Sequence, residues 1–184
     1  MKIFTEGLTD EVAALLRNGK IGVIRTDTLY GVVAQAGNEL AVERVYHAKG
    51  RDETKSPIVL IASLDQLFDK MPGTLEQLVV NGWPEKTSII IPSEHAPHWI
   101  RRKNNTVAYR LPRVESLCRF LEKSGPLIAP SANPEGCVPA MSLNQAVDYF
   151  GDQVDFYVDG GAVHDDTPSK LLRVDAEGRV EQIR

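Results

Sequence analysis

Four stretches of this chain hold side chains whose types and spacing could do chemistry. The first is the polar turn Thr26-Asp27-Thr28, fed by the apolar run 21–24 and followed by Tyr30-Gly31. The second is Lys49-Gly50-Arg51 with Lys55, cations closing a helix-like run. The third is Ser131-Ala132-Asn133, a hydroxyl and an amide two residues apart, bounded by Pro130 and Pro134. The fourth pairs Arg110, inside an apolar strand pattern, with Pro168-Ser169 at the opening of a late strand. Hydroxyls and a carboxylate at a strand end, with cations at a helix end, suit a small polar molecule plus an anion. Arginine offers a planar fork for bidentate contacts and lysine a point charge. Gly50 would let the backbone come close to such a ligand.

Each stretch also has a plainer reading. Thr and Asp satisfy backbone groups at strand-end turns. Cations at a helix C-terminus complement its dipole. Ser-Ala-Asn between prolines is an ordinary turn. Arg110 is either an edge-strand surface cation or a ligand-facing one, because a buried unpaired charge is costly.

Composition narrows the classes. A chain of 184 residues suits one domain with a sizeable core. Apolar residues make up 42% and charged residues 25%, the balance of an ordinary soluble globular protein. The net charge of -4 gives no overall basic field toward nucleic acid, although Arg101-Arg102-Lys103 is a candidate rim for a local basic groove. The two cysteines, Cys118 and Cys137, have no metal or disulfide spacing. Cys118 falls in an apolar helix pattern and reads as a small buried hydrophobe. His47, His95, His98 and His164 are scattered, so no protein-side-chain metal site is expected. No signal-peptide segment or bilayer-spanning apolar run is present, which predicts a cytoplasmic protein with no membrane partner.

The elements that must position these residues follow from periodicity. Helices are predicted over 10–18, capped by Thr9, and from Asn38 with Leu40, Ala41, Val45 and Ala48 on its apolar stripe. A short helix capped by Ser63, one starting at Thr74, one over 114–123 and one capped by Ser142 come later in the chain. Strands are predicted over 21–24, 57–62, 88–91, 106–111, 127–129 and 154–158, with a final hairpin of 171–174 and 180–183. The loop 93–105 is the expected mobile segment. Strands and helices interleave without a strict βαβ repeat, so the fold class is α/β: a single domain over 1–184 around a twisted, open, mixed sheet.

In chain order, I-R-T-D-T-L-Y-G-V, K-G-R, T-V-A-Y-R-L-P, P-S-A-N-P-E-G, T-P-S-K-L and V-E-Q-I-R resemble the YrdC-like family, and within it the short, single-domain TsaC type of threonylcarbamoyl-AMP synthase. The resemblance covers nearly the whole chain. It implies a large concave cavity and the joining of L-threonine, bicarbonate and ATP, with Mg²⁺ on the phosphates, into threonylcarbamoyl-AMP and pyrophosphate. The product would pass to a transferase complex that modifies the adenosine beside the anticodon of ANN-decoding tRNAs.

Residue by residue, the resemblance implies threonine contacts at Thr28, Arg110, Ser131 and Ser169. It implies ATP contacts at Arg51, Lys55, Thr106, Asn133 and Arg184, and electrostatic catalysis by Lys49 and Arg51. No general base is assigned; Asp27 is the one candidate, with a structural role in its turn as the other reading. Three departures stand out: Arg25 where the family usually has proline, Glu85-Lys86 for glycine-proline, and Lys170 for threonine. The alternative within the superfamily is a non-catalytic module binding tRNA or double-stranded RNA. A carbamoyl-AMP-forming domain of the hydrogenase-maturation kind fits less well, since those sit inside a much longer zinc-finger-bearing chain.

Overall fold

The computed structural model describes residues 2–70, 83, 86–165, 167, 169–175 and 177–184. The helix expected from Thr74, and the residues Pro84, Glu85 and Pro168, lie outside that set. Among the described residues ten strands form one open, mixed sheet. They are β1 (Lys2–Phe4), β2 (Gly22–Arg25), β3 (Tyr30–Gln35), β4 (Ile58–Leu60), β5 (Thr87–Pro92), β6 (Thr106–Arg110), β7 (Leu127–Ile128), β8 (Phe156–Val158), β9 (Lys170–Val174) and β10 (Val180–Gln182). Their spatial order is β1-β8-β2-β3-β7-β4-β6-β5-β9-β10. Parallel pairs (β1 with β8, β4 with β6) and antiparallel ones (β2 with β3, β5 with β6) are mixed across it. Among the described residues the α-helices are α1 (Asp10–Arg17), α2 (Glu39–Lys49), α3 (His98–Arg101), α4 (Glu115–Ser124) and α5 (Leu143–Phe150). None is long and apolar enough to cross a membrane.

Side chains alternate across the sheet, so the central strands β8, β2, β3, β7 and β4 feed two cores. Val23, Val32, Ala34, Val59, Tyr109 and Tyr157 face α2 and α5, which contribute Val42, Val45 and Phe150. Ile24, Val33, Leu60, Leu127 and Phe156 face α1 and α4, which contribute Leu16 and Phe120. Local signals set the helix ends. Thr9, Asn38 and Ser142 each accept a backbone N–H of the first turn of α1, α2 and α5. Ser63, expected as a cap, makes no such bond and leads only into a short 3₁₀ turn, Leu64–Gln66.

Several expectations need correction. Leu40 points away from the core and is 78% exposed; Ala41, Val42, Val45 and Tyr46 form the buried stripe of α2 instead. The segment 93–105, expected to be mobile, contains α3 and is tied down at several points. Ser93 N–H donates to Asn105 O at 3.0 Å, and Trp99 Nε1–H donates to Ala36 O at 3.0 Å. Its basic run is engaged internally as well. Arg102 pairs with Glu43 at 2.9 Å and lies 3.8 Å over the Tyr46 ring, and Arg101 Nη1 reaches Ser93 O at 3.5 Å. Cys118 is only half-buried, and its thiol donates to Pro112 O at 2.9 Å. Arg110 sits on β6, between β4 and β5, so it is no edge-strand cation.

Gly22 shows how closely the sheet packs. It pairs with Phe156 of β8, and a Cβ there would overlap the fully buried Phe156 ring. Gly22→Ala is therefore expected to destabilise the fold by about 1–3 kcal/mol, the usual cost of overpacking a filled core. Urea denaturation checks this as a lower midpoint at unchanged slope.

Candidate active site

The turn between β2 and β3 is built by its own hydroxyl. Thr26 donates from both its N–H and its Oγ1–H to Leu29 O, at 2.9 and 2.8 Å, and Thr28 N–H donates to Thr26 Oγ1 at 3.3 Å. Tyr30, which comes next on β3, is fully buried. Its hydroxyl donates to Gly161 O at 2.8 Å and accepts from Gly160 N–H at 3.0 Å, and burial pushes the phenol's pKa up. Arg25, the residue standing in place of a proline, fastens the same loop through Nη1 to Gly160 O at 2.7 Å.

The second stretch depends on how α2 ends. Gly50 adopts a left-handed conformation, φ 58°, and Arg51 N–H turns back to Tyr46 O at 3.0 Å. That reversal leaves Lys49 buried and directs Arg51 to a cavity. Lys49 Nζ donates to the carbonyls of Ser131 and Asn133, while Glu135 N–H donates to Lys49 O at 2.8 Å. Burial, reinforced by the charge of Arg51 and opposed by Glu135, lowers the Lys49 pKa to about 8. Arg51 Nη2 donates to Ser56 O at 3.1 Å, and its Nε is buried without a protein partner.

The third stretch pairs with β3. Val32 N–H donates to Pro130 O at 2.9 Å and Ala132 N–H to Tyr30 O at 2.7 Å, so Ser131 sits opposite Gly31. Ser131 Oγ–H donates to Asn133 Oδ1 at 2.6 Å. The Asn133 amide nitrogen donates into its own loop, to Pro134 O and Cys137 O, each at 2.9 Å.

On β6, Arg110 is 4% exposed and meets the Asp27 carboxylate of the first turn. Its Nε and Nη2 both donate to Asp27 Oδ2, at 3.1 and 2.7 Å. Ser169, buried just before β9, lies with Oγ 3.4 Å from Ser88 Oγ. Arg184 crosses back to it, donating from Nε to Ser169 O at 3.2 Å and from Nη2 to Ser169 Oγ at 3.4 Å.

These parts meet. One cavity of about 290 Å³ is lined by Thr28, Arg51, Arg110, Ser131, Ser169 and Arg184, with Thr26, Tyr30, Ile58 and Leu60 in its walls. Three arginines and the hydroxyl residues Thr28, Ser131 and Ser169 therefore converge on one hollow. Such a hollow can bind an anion beside a small polar molecule. Lys49 and Asn133 stand directly behind Ser131, joined to it by the bonds above.

Four expected residues do not line this wall: Lys49 and Asn133, which stand behind Ser131, and Lys55 and Thr106, which lie farther off. Lys55 is exposed and paired with Glu135, whose other oxygen accepts Asp52 N–H at 2.6 Å. Thr106 shares the sheet face of Arg110 but stands at the far end of β6. Asp27 lies behind Arg110, on its guanidinium. Sequence reasoning missed two contributors. Ser88 is a fully buried hydroxyl whose only signal is one serine within an apolar strand, T-S-I-I-I. Glu135 stands within P-S-A-N-P-E-G, and nothing local marks it as the clasp between two loops. Among the described residues no group of three His, Cys, Asp or Glu side chains could hold a metal ion.

Comparison with known proteins shows the family and the fold. The Sua5_yciO_yrdC family model, described as telomere recombination, matches residues 14–184. A threonylcarbamoyl-AMP synthase of Pyrococcus abyssi is 35% identical over 154 residues, which are 81% of this chain and 45% of that protein. The chain thus spans about half the length of that relative. A threonylcarbamoyl-AMP synthase of Marinobacter nauticus is 31% identical over 158 residues, covering 81% of this chain and 82% of that one. The crystal structure of P. abyssi Sua5 complexed with L-threonine superposes with a TM-score of 0.86 at 30% identity, over 100% of this chain and 56% of the other. With a family model spanning nearly all of its residues, the chain belongs to the Sua5/YciO/YrdC family.

Proposed function

We propose that this protein is an L-threonylcarbamoyladenylate synthase, joining L-threonine, bicarbonate and ATP with release of pyrophosphate. The convergence of Arg51, Arg110 and Arg184 with Thr28, Ser131 and Ser169 on one cavity carries the reading. An RNA-binding module would need cations spread over a surface; here they gather in a hollow. The relatives named for this activity, and the Sua5 structure holding L-threonine, support the same choice.

In this reading the threonine amine adds to bicarbonate carbon, water leaves, and a carbamate forms. A carbamate oxygen then attacks the α-phosphorus of ATP, and the bond to the β-phosphate breaks to release pyrophosphate. Two anions must meet, and cations aimed at the developing charge offset their repulsion. Arg110 would hold the amino-acid carboxylate, with Thr28, Ser131 and Ser169 around the rest of threonine. Arg51 would take the phosphates, and Arg184 would close the nucleotide side. Lys49 would act through its field and by fixing the Ser131-Asn133 turn. Lys55 would exchange Glu135 for a phosphate, and Thr106 and Asn133 would meet the outer part of the nucleotide. Mg²⁺ would arrive on the ATP phosphates, as it commonly does when bound with few protein carboxylates. Positioning matters because three components share one pocket. The product would pass to a transferase acting on tRNA in the cytoplasm.

The test is pyrophosphate release with ATP, Mg²⁺ and bicarbonate, with and without L-threonine. Release is expected to depend on threonine and to be weaker with L-serine, which lacks one methyl group. A hydrophobic contact of that size is worth about 10–200-fold. Threonine-independent release, or none, would overturn the reading.

A further inference from the structure

The Asp27–Arg110 pair lies in the partition between two cavities. Arg110 lines the cavity of about 290 Å³ already described. Asp27 lines a second one, of about 580 Å³, together with Glu6, Arg25 and Asp159. Thr26 belongs to both walls. The two charged side chains are 5% and 8% exposed, so each would be costly to bury alone. Both Arg110 donors converge on one carboxylate oxygen, Oδ2, and Oδ1 is buried without a hydrogen-bond partner.

We propose that Asp27 is a positioning residue for amino-acid recognition: it fixes the Arg110 guanidinium plane so that its cavity side reads a substrate carboxylate. The proposal rests on the synthase reading and deepens it. Asp27 approaches from behind, held in the self-bonded turn of Thr26 and Thr28, while β6 and its neighbours hold the backbone of Arg110. With Nε and Nη2 taken by Asp27, the guanidinium edge around Nη1 is left for a ligand. Rotation about the terminal torsions would break both bonds to Oδ2. Asp27 therefore contributes orientation. Its charge opposes that of an incoming carboxylate, so added attraction is not what it supplies.

The test compares L-threonine with L-threoninamide, which keeps the amine and hydroxyl but lacks the carboxylate. In the wild-type protein kcat/KM for pyrophosphate release is expected to favour threonine strongly. In Asp27→Asn, which keeps the size and an acceptor oxygen, that preference should fall about tenfold, and in Asp27→Ala further. Threoninamide turnover should change only in proportion to the folded fraction of each variant, which a melt on the same preparation gives. A purely structural role would lower both substrates in proportion to the folded fraction and leave their ratio unchanged. An unchanged ratio in a cooperatively melting variant overturns the proposal.

A second measurement needs no Asp27 variant to fold. In wild-type protein the Arg110 Nε–H resonance, assigned through its loss in Arg110→Lys, is expected to be protected from exchange before threonine is added. Rapid exchange in the ligand-free protein also overturns the proposal. Absence of threonine-dependent release by wild type would instead sink the synthase reading, and the resonance would still report whether Asp27 fixes Arg110.

Discussion

Arg51→Ala is expected to lower threonine-dependent pyrophosphate release by about 10²-fold or more, the scale seen when one donor to a developing anion is removed. The thermal midpoint should barely move. The Arg51 side chain makes one hydrogen bond among the described contacts, from Nη2 to Ser56 O, and its guanidinium sits 5.6 Å from the Tyr46 ring centroid. Little of the fold depends on those two contacts. A guanidinium carries five N–H donors, so most of its capacity remains for an anion in the cavity it lines. Arg51→Lys should recover part of the rate, because it restores a point charge without the planar fork. Single-turnover pyrophosphate release and a thermal melt, run on the same preparation, check both halves. Unchanged turnover in Arg51→Ala would remove this residue from the phosphate site.

The gathering of these side chains was legible in the sequence only as ingredients. Thr9, Asn38 and Ser142 announce their helices because capping is a local event, settled within three residues. The β9–β10 hairpin is equally local. β3 escaped notice because Tyr30 to Ala34 are buried on both faces, which erases the alternation that marks a half-buried strand. β1, three residues long, carries too short a pattern to stand out.

Arg110 shows the limit most clearly. Its type and place in a strand raised the question of a partner, but the answer, Asp27, lies 83 residues earlier in the chain. Lys49 and Ser131 are 82 residues apart, and no spacing rule joins them. Motif order supplied by family resemblance stood in for that missing tertiary information. The same resemblance left Ser88 and Glu135 unmarked, because their contribution is a contact across strands or loops. Composition and periodicity carry no record of such contacts.

Lys49 should behave differently from Arg51, because its ammonium serves the fold and the site at once. Lys49→Met is expected to cut turnover by about 10²-fold or more and also to destabilise the protein. The carbonyls of Ser131 and Asn133 each lose a buried donor, at about 1–3 kcal/mol apiece. Removing a costly buried charge offsets part of that loss. The wild-type pH dependence then separates the two roles by sign. Folded Lys49 has its pKa lowered to about 8, from an ordinary 10.5. Between those values the unfolded chain binds more protons than the folded one, so this group's contribution to stability rises with pH across that window. A neutral amine still has two N–H donors, enough for both carbonyls. Turnover that relies on the ammonium should move the other way, declining as pH rises through about 8. From the ordinary phenol range near 10 upward, the raised pKa values of Tyr30, Tyr109 and Tyr157 begin to act on stability with the opposite sign. Between about pH 8 and that range the Lys49 contributions to stability and activity should thus diverge, and Lys49→Met should lose both. Urea melts and initial rates across this range test the pair. Wild-type turnover that stays level through about pH 8 would remove the ammonium from the chemistry.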